Sequence, residues 1–337
     1  MKRFFSKRQT AHAPLRERNN GEWTDFAESP ARVDSMLDAI GAVEEPNDQG
    51  IEPILAVHDT DYVAFLQTAY DDWLAAGREG DAIGYAFPAV HRRKLDLTRI
   101  DGKLGAYGFD AATPIASGTW EAAYWGAQTA LSALNAVTVG ENQAFALCRP
   151  PGHHSGTDYY GGYCYLNNAA IAAQAAINRG LGPVAVLDVD YHHGNGTQDI
   201  FYNRGDVLFA SIHADPKTDY PYFWGHADET GEGDGKGTTF NQPLARGTTW
   251  EQYGPTLERA LEVISGFGAK FLVISYGADT FEADPISAFE LTTIDMSRIG
   301  SLIATLDLPA VTVMEGGYNI DALGRNVEAF LAGLESG

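Results

Sequence analysis

Residues 188–201, DVDYHHGNGTQDIF, concentrate side chains that bind metals and move protons. Asp190 and His192 are two residues apart, so on a strand their side chains point to the same side. Asp188, two residues earlier, would point to that side as well. Such a pair alone is more often a hydrogen-bonded strand end, but Asp279, at the end of another apolar run, offers a third ligand. Two carboxylates and one imidazole suit a catalytic zinc with a position left for water, and Fe(II), Co(II) or Mn(II) would also bind.

The segment RPPGHHS, residues 149–155, supplies candidate proton carriers. His153 and His154 follow two prolines that stiffen the loop and a glycine that lets the backbone approach a ligand. A histidine beside a metal-bound water is suited to general acid and base catalysis because its pKa lies near neutral pH. The alternatives are two further metal ligands or a local hydrogen-bonded pair. Asp188 and Asn195 are the candidates to orient the second ring nitrogens.

The sequence EGGY, residues 315–318, places a phenol on a glycine-containing loop after a further apolar run. Tyr318 could donate a hydrogen bond to an oxyanion, although alone the pattern is that of an ordinary strand-to-helix turn. A Lewis acid, a base and an oxyanion donor together, without a serine or cysteine nucleophile motif, predict metal-assisted hydrolysis of an amide or ester by water.

These side chains follow short apolar runs of strand length, which alternate with helical patterns. The five runs are AFALC (144–148), VAVLDVD (184–190), VLFASIH (207–213), FLVISYGAD (271–279) and AVTVMEGGY (310–318). Helices are predicted over 28–41, 60–77, about 119–136, 167–180, about 250–266 and about 294–306. This alternation indicates an α/β fold with one domain, a three-layer αβα arrangement around a mostly parallel sheet. All five runs carry polar residues at their carboxyl ends, where such folds place ligand sites.

Residues 78–118 lack a clear period and include the basic run HRRK at 91–94. A stretch of this length is typical of a lid or an interface, or it is a plain surface excursion, and the pattern alone favours neither.

The composition excludes several functions. The chain has 337 residues, a net charge of −22 and 45% hydrophobic residues. The negative charge argues against a nucleic-acid partner and permits a cationic substrate, although many proteins are acidic only for solubility. Two cysteines, Cys148 and Cys164, are too few for a disulfide framework or a thiolate zinc site and fit a reduced, cytoplasmic setting. We expect no signal peptide and no membrane span, because no apolar run is long enough.

Five segments together resemble the zinc-dependent histone deacetylase superfamily, which has the arginase-deacetylase fold. They are RPPGHHS, GGYCYLNNAA, DVDYHHGNGTQDIFY, SYGADTFEADP and EGGYN, and the likeness spans most of the chain in the same order. FLQTAYDDWLAAG and DAIGYAFP are more similar to the bacterial acetylpolyamine amidohydrolases than to the eukaryotic histone enzymes. The resemblance implies removal of acetyl groups from polyamines or diamines such as acetylputrescine, acetylcadaverine and acetylspermidine.

The resemblance also implies catalytic roles. Zinc would be bound by Asp190, His192 and Asp279. His154 would be the main general base and acid, and His153 its electrostatic partner, oriented by Asp188. Tyr318 would be the oxyanion donor. Some relatives place an aspartate behind the second histidine, where this chain has Asn195, and a neutral partner should leave that histidine less basic.

Substrate and potassium sites are implied in the same way. The methylene chain of the substrate would lie between the aromatic walls Tyr163 and Tyr220, with the Gly162 carbonyl accepting the amide hydrogen. A structural potassium ion would lie near Asp188, Asp190, His192, Ser211 and Ile212.

For residues 78–118 the resemblance implies an insertion that forms a homodimer and narrows the mouth of the substrate tunnel. Acidic residues there would meet the substrate amines, and Asp101 occupies one such position. At the other, the chain has Ala111 and Ala112, with Asp110 close by. This difference favours a shorter diamine, acetylputrescine or acetylcadaverine.

Three alternatives remain. A di-manganese ureohydrolase of the same fold needs further carboxylates where this chain has Gly194 and Gly277. A protein or peptide acetyl-lysine deacetylase would use the same catalytic residues and would differ only in the lid. A non-catalytic sensor of acetylated amines would not need Tyr318, His153 and His154 together.

Overall fold

A parallel sheet forms the centre of the protein. The computed structural model describes residues 1–88 and 95–336, so the HRRK run at 91–94 lies outside the described residues. The strands are β1 (Lys2–Phe4), β2 (Arg16–Asn19), β3 (Glu22–Asp25), β4 (Gln143–Ala146), β5 (Val184–Asp188), β6 (Val207–Ala214), β7 (Thr239–Leu244), β8 (Phe271–Tyr276) and β9 (Ala310–Met314). In the described chain, seven of them form one sheet in the order β1-β4-β9-β8-β5-β6-β7, and all neighbours are parallel. Strands β2 and β3 form a separate antiparallel hairpin.

The five strands expected from the apolar runs are confirmed, and the two edge strands of the sheet are additional. Strand β1 has only three residues, two of them basic, and therefore lacks an apolar run. Strand β7, TFNQPL, alternates buried with partly buried residues and contains Pro243. A proline is tolerated at a sheet edge because its missing N–H is not needed by a second neighbour.

The helices cover most of the remaining chain. They are α1 (Ala31–Ile40), α2 (Glu52–Leu55), α3 (Thr60–Ala75), α4 (Ile100–Tyr107), α5 (Thr119–Thr138), α6 (Asn168–Asn178), α7 (Asn195–Phe201), α8 (Trp250–Phe267), α9 (Thr293–Ala304) and α10 (Ile320–Ser336). The six predicted helices are present within a few residues of their expected bounds. Helices α2 and α7 are too short to show a period, and α4 lies within the 78–118 segment, where no regular element was expected. Helix α10 has the apolar period that the prediction omits, with Val327, Phe330, Leu331 and Leu334 buried.

Local signals explain where the later helices begin and end. Helix α8 starts after Thr249, which forms a capping box with Gln252, and α9 starts after Thr292, which forms one with Asp295. Helix α8 ends at Gly268 in the left-handed conformation that favours glycine.

Helices pack on both faces of the sheet. Along β5, Val184 and Val186 belong to one hydrophobic core, and Ala185 and Leu187 belong to the other. This alternation is the one that a strand imposes on successive side chains. The first core is closed mainly by α3, α5 and α6, and the second by α1, α8, α9 and α10. The three-layer αβα arrangement around a parallel sheet is therefore confirmed.

The topology brings several loops to one end of the sheet. Because β4, β9, β8, β5 and β6 are consecutive and parallel, the loops that follow them leave from the same edge. The residues predicted to carry chemistry lie on these loops. No helix in residues 1–88 and 95–336 is long and apolar enough to cross a membrane.

Candidate metal and catalytic site

Three predicted ligands converge at the carboxyl end of the sheet. Asp190 and His192 follow β5, and Asp279 follows β8, the neighbouring strand. The Nδ1 atom of His192 lies 3.3 Å from Oδ1 of Asp190 and 3.0 Å from Oδ2 of Asp279. One donor atom of each residue lies within 4.8 Å of the others, close enough to share one ion. Both carboxylates are buried, whereas His192 is partly accessible.

The charges in this group fit a bound cation. Burial alone would lower the pKa of His192, but the carboxylates of Asp190 and Asp279 raise it to about 10. Burial raises the pKa of Asp279 to about 7, and the nearby Asp190 adds to the rise. The surroundings therefore favour a positive charge between the two carboxylates, and a divalent ion can take the place of the proton. The donor atoms and their charge both fit a metal centre.

Two glycines keep the space beside the carboxylates free. A Cβ atom at Gly277 would lie 2.0 Å from Oδ2 of Asp190, and one at Gly194 would lie 2.2 Å from Oδ2 of Asp188. These are the positions at which a di-manganese ureohydrolase would need carboxylates. In this arrangement neither position has room for a side chain.

The two candidate proton carriers lie side by side and have different partners. The ring centroids of His153 and His154 are 4.1 Å apart. Nδ1 of His153 lies 3.0 Å from Oδ2 of Asp188, and Nδ1 of His154 lies 2.7 Å from Oδ1 of Asn195. All four side chains are buried. The structure thus gives each histidine the orienting partner predicted from the sequence.

The surroundings shift the two histidine pKa values in opposite directions. Burial alone would lower both, but Asp188 and Asp190 raise the pKa of His153 to about 10. Burial, together with the positive charges of His153 and His192, lowers the pKa of His154 well below its usual value. His153 therefore keeps its proton, while His154 has one free ring nitrogen. In such a pair the charged histidine can stabilise negative charge, and the neutral histidine can act as a base.

Tyr318 lies on the loop between β9 and α10, and its ring is buried. Its backbone N–H donates to Oδ2 of Asp284 at 2.7 Å, and Gly317 before it has a φ of +123°. Arg32 donates to the carbonyl oxygens of Gly317 and Glu315 at 2.7 and 2.6 Å, and its guanidinium carbon lies 5.0 Å from the centre of the Tyr318 ring. Burial raises the pKa of Tyr318 well above its usual value, so the hydroxyl keeps its proton.

Glu315 connects the EGGY loop to the histidine loop, a contact that the sequence did not predict. Its Oε2 atom accepts hydrogen bonds from the backbone N–H groups of Gly152 and His153 at 2.6 and 3.1 Å. Its Oε1 atom accepts one from the hydroxyl of Ser275 at 3.2 Å. Together with His153 and Cys164 it forms a second set of potential metal donors, but three hydrogen bonds already use about three quarters of its acceptor capacity, and burial raises the pKa of the Cys164 thiol well above its usual value, which disfavours the thiolate. Burial raises the pKa of Glu315 to about 7.

Two tyrosine rings flank the predicted catalytic residues. The ring centroid of Tyr163 lies 5.6 Å from that of Tyr318, and the centroid of Tyr220 lies 5.2 Å from that of His154. At Gly162 a Cβ atom would lie 2.2 Å from Cδ2 of His154, so a larger residue would displace that ring. The structure therefore brings the predicted aromatic walls and Gly162 together with the catalytic residues.

Each wall tyrosine donates its hydroxyl hydrogen to a carboxylate. Tyr163 donates to Oε1 of Glu17 at 2.9 Å, and Tyr220 donates to Oδ2 of Asp110 at 2.7 Å. The same Asp110 oxygen accepts the backbone N–H of Gly162 at 2.7 Å. Burial raises the pKa of Glu17 to about 7. Glu17, on β2, lies outside the site predicted from the sequence, in which Asp110 is only a residue near Ala111 and Ala112.

Asp101 is engaged elsewhere. Its two carboxylate oxygens accept from Arg78 at 2.8 Å and from Arg99 at 2.7 Å. None of its hydrogen bonds or ion pairs among the described residues reaches the metal or catalytic group. The structure therefore does not place Asp101 with the other predicted substrate residues.

The residues predicted for potassium meet at the ends of β5 and β6. Asp188 and Ser211 are opposite each other in the parallel register, and Ile212 is the next residue of β6. Asp190, two residues beyond Asp188, donates its backbone N–H to Oδ1 of Asp188 at 3.1 Å. His192 lies on the same loop. The set is therefore assembled, and the ion itself stays a prediction.

Comparisons with known proteins cover nearly the whole chain. A family model described as the histone deacetylase domain matches residues 26–334. The chain is 48% identical to acetylpolyamine amidohydrolase 2 of Pseudomonas aeruginosa over 98% of each chain, and 45% identical to acetylpolyamine amidohydrolase of Mycoplana ramosa over 99% of each. It superposes on a crystal structure of acetylpolyamine aminohydrolase from Burkholderia pseudomallei with a TM-score of 0.95 and 41% identity, covering 100% of this chain and 99% of that one.

Proposed function

The chain belongs to the histone deacetylase domain family and has the arginase-deacetylase fold, and we propose that it hydrolyses the acetyl amides of small acetylated amines. The substrates would be acetylpolyamines or acetyldiamines, and the products would be acetate and the free amine. The names of the similar proteins support this substrate class. The observation that carries the proposal is a triad of metal donors beside two adjacent histidines with opposite pKa shifts.

The catalytic metal would be zinc, with Fe(II), Co(II) or Mn(II) able to substitute. Its ligands would be Asp190, His192 and Asp279. When bound, the ion supplies Lewis-acid polarisation of the acetyl carbonyl and of the attacking water. A structural potassium ion would lie among Asp188, Asp190, His192, Ser211 and Ile212.

The residues around the metal would move protons and stabilise charge. His154 would take a proton from the attacking water at Nε2, because its Nδ1 faces Asn195, and would later give it to the leaving amine. His153 keeps its proton and would stabilise the negative charge that develops during the reaction. The hydroxyl of Tyr318 would donate a hydrogen bond to the oxyanion, and the Gly162 carbonyl would accept the amide hydrogen.

The walls of the site support a narrow, cationic substrate. A methylene chain would lie between Tyr163 and Tyr220, whose hydroxyls point to the carboxylates of Glu17 and Asp110. The carboxylate of Asp110, and that of Glu17 once it has lost its proton, would attract the ammonium group beyond the methylene chain. Asp101 is already paired with two arginines, which makes Asp110 the better candidate for the amine. A short diamine, acetylputrescine or acetylcadaverine, would be preferred to acetylspermidine, because the chain has Ala111 and Ala112 where an acidic residue would meet a further amine.

The remaining features of the proposal concern the whole chain. Residues 1–337 would form one deacetylase domain, and an insertion at about 78–118 would mediate a homodimer and gate the tunnel. The protein would act in the cytoplasm with no nucleic-acid or membrane partner. The net charge of −22 supports the first exclusion, and the free, buried state of Cys148 and Cys164 supports a reducing compartment.

Acetate release tests the proposed activity. We would compare kcat/KM of the zinc-loaded enzyme on acetylputrescine, acetylcadaverine, acetylspermidine and an acetyl-lysine peptide. A clear preference for the free acetylamines would support the proposal, whereas equal or faster turnover of the peptide would favour a protein deacetylase. No acetate release from any of the four would overturn deacetylation. Metal content per chain, measured by atomic spectroscopy, separates a one-metal deacetylase from a di-manganese ureohydrolase.

A further inference from the structure

A chain of hydrogen bonds connects His154 to the protein surface. Nδ1 of His154 lies 2.7 Å from Oδ1 of Asn195, and Nδ2 of Asn195 lies 3.3 Å from the hydroxyl oxygen of Tyr159. Tyr159 in turn donates to Oδ2 of Asp199 at 2.6 Å. His154, Asn195 and Tyr159 are buried, and Asp199 is exposed. Asn195 and Asp199 are four residues apart on α7, so one face of this helix holds both groups that bind Tyr159.

Asp199, at the surface, determines which group donates and which accepts in each hydrogen bond of this chain. An ionised carboxylate can only accept, so the hydroxyl hydrogen of Tyr159 points to Asp199. The Tyr159 oxygen is then left as an acceptor, and it selects the NH₂ group of Asn195 rather than the amide oxygen. The amide oxygen therefore faces His154 and requires a hydrogen on Nδ1. Nε2, on the other side of the ring, is then free to accept a proton.

The orientation of the Asn195 amide has to be fixed by its neighbours, because its oxygen end and its NH₂ end have nearly the same shape. A reversed Asn195 would present NH₂ to Nδ1 of His154, and the ring hydrogen would move to Nε2. That tautomer cannot take a proton from water. The carbonyl oxygen of His154 also accepts from Nδ2 at 3.4 Å, 0.1 Å longer than the contact to Tyr159, and it favours the same amide orientation. Loss of the Tyr159 hydroxyl should therefore weaken this preference for one orientation rather than abolish it.

We propose that Tyr159 and Asp199 are positioning residues that fix the amide orientation of Asn195 and, through it, the tautomer in which His154 acts as the base. The inference rests on the proposed deacetylation, in which His154 is that base. A carboxylate at position 195 would accept the Nδ1 hydrogen with either oxygen. The two ends of the amide differ, so Tyr159 and Asp199 are needed to keep its oxygen facing His154.

A cycle of single and double substitutions tests this role. We expect Tyr159→Phe to lower kcat for acetylputrescine about tenfold with KM unchanged, which corresponds to the loss of about one net hydrogen bond. In an Asn195→Asp background, whose two oxygens are equivalent, the same substitution should lower kcat less than about twofold. The Tyr159 ring also packs on Phe109 and Trp224. An equal loss in both backgrounds would show that packing alone explains the effect, and would overturn the proposal.

A separate substitution tests the role of Asp199, at the surface end of these hydrogen bonds. An asparagine at position 199 could donate to Tyr159 as well as accept from it, so Asp199→Asn should lower kcat in the natural background and not in Asn195→Asp. Asp206→Asn is the matched control, because Asp206 is a partly exposed carboxylate shortly after α7 that pairs with Arg204. An equal loss with Asp206→Asn would assign the effect to surface charge and remove Asp199 from the proposal.

Nitrogen NMR of isotope-labelled histidine gives a readout that does not depend on turnover. It distinguishes a protonated from an unprotonated ring nitrogen. We expect Nδ1 of His154 to be protonated in the natural protein, and both tautomers to be populated in Tyr159→Phe. Absence of acetate release by the natural enzyme would overturn the proposed function, whereas an unchanged His154 tautomer in Tyr159→Phe would overturn the positioning role.

Discussion

His153 and His154 are adjacent in the chain and their ring centroids lie 4.1 Å apart, yet their pKa values are shifted in opposite directions. Nδ1 of His153 faces the carboxylate of Asp188, whereas Nδ1 of His154 faces the neutral amide of Asn195. The charge of His153 itself helps to lower the pKa of its neighbour. The pair therefore consists of one charged and one neutral imidazole, which should respond differently to substitution.

Removal of His154 should be the more damaging change of the two. We expect His154→Ala to lower kcat by about 10² to 10⁴, the usual contribution of a general acid or base, with KM little changed. His153→Ala should cost less, because a charge near the reaction is lost but the base remains. The measurement is kcat and KM for acetylputrescine at equal metal content. Near-normal turnover by His154→Ala, or a larger loss for His153→Ala, would assign the base to His153 instead.

Tyr318 should contribute mainly to kcat. We expect Tyr318→Phe to lower kcat about a hundredfold or more, because one preorganised oxyanion donor is removed from a buried site. The ring and its contact with Arg32 are kept, so the melting temperature should not change. Tyr222→Phe, at an exposed tyrosine, is the control. If Tyr318→Phe kept near-normal turnover, another group would have to stabilise the oxyanion.

Removal of the metal should reduce both activity and stability. Asp190 and Asp279 are fully buried and lie close to the same imidazole, so a cation between them should favour the folded protein. A ligand that binds only the folded state raises its stability. We expect chelation to abolish acetate release and to lower the melting temperature, and zinc to restore both. Asp279→Asn should show the low melting temperature without recovery. A chelated protein with unchanged activity would contradict the assignment of these ligands.

The convergence of the metal-donor and histidine residues could be predicted because their signals are local. Asp190 and His192 are two residues apart in the loop just after β5, and the apolar runs before them and before Asp279 indicate a parallel sheet whose loops meet at one edge. No local pattern indicates Glu17 or Glu315. Glu17 binds a tyrosine 146 positions away, and Glu315 binds backbone N–H groups about half a chain away. Such contacts depend on how the loops pack, which short-range patterns do not determine.

Asp101 and Asp110 lie close together in the chain but have different neighbours. The family resemblance implies contact of Asp101 with substrate amines, and within one chain its carboxylate pairs with Arg78 and Arg99. Asp110 lies nine residues later and reaches Tyr220 and Gly162 instead. Which of two nearby carboxylates faces a site is decided by their neighbours in space.

Asp110 should determine affinity for acetylated diamines. We expect Asp110→Asn to raise KM for acetylputrescine and acetylcadaverine about tenfold, because a charge near the ammonium group is lost, and to affect an acetyl-lysine peptide much less. The asparagine oxygen can still accept from Tyr220 and Gly162, so kcat should change little. Asp101→Asn is the comparison. If that substitution raises KM and Asp110→Asn does not, the amine is bound at Asp101 and the proposed role of Asp110 is wrong.

Glu17 should make stability depend on pH. Burial raises its pKa from 4.5 to about 7, although hydrogen bonds from Tyr163 and the N–H of Ala27 partly oppose the rise. Between pH 4.5 and about pH 7, Glu17 has lost its proton in the unfolded chain but still holds it in the folded protein. The contribution of Glu17 to the free energy of unfolding therefore decreases as pH rises from 4.5 to about 7 and stays at its lower value above that range.

Glu17→Gln should remove this dependence. We expect the variant to gain stability relative to the natural protein between about pH 5 and about pH 8, by about 2 kcal/mol once residual solvent screening is allowed for. The measurement is the melting temperature of both proteins at the two pH values without substrate. Glu22→Gln, an exposed carboxylate on the same hairpin, is the control. A stability difference that does not change with pH would mean that Glu17 is already ionised in the folded protein at pH 5, so that its charge would be available to an ammonium group without loss of a proton.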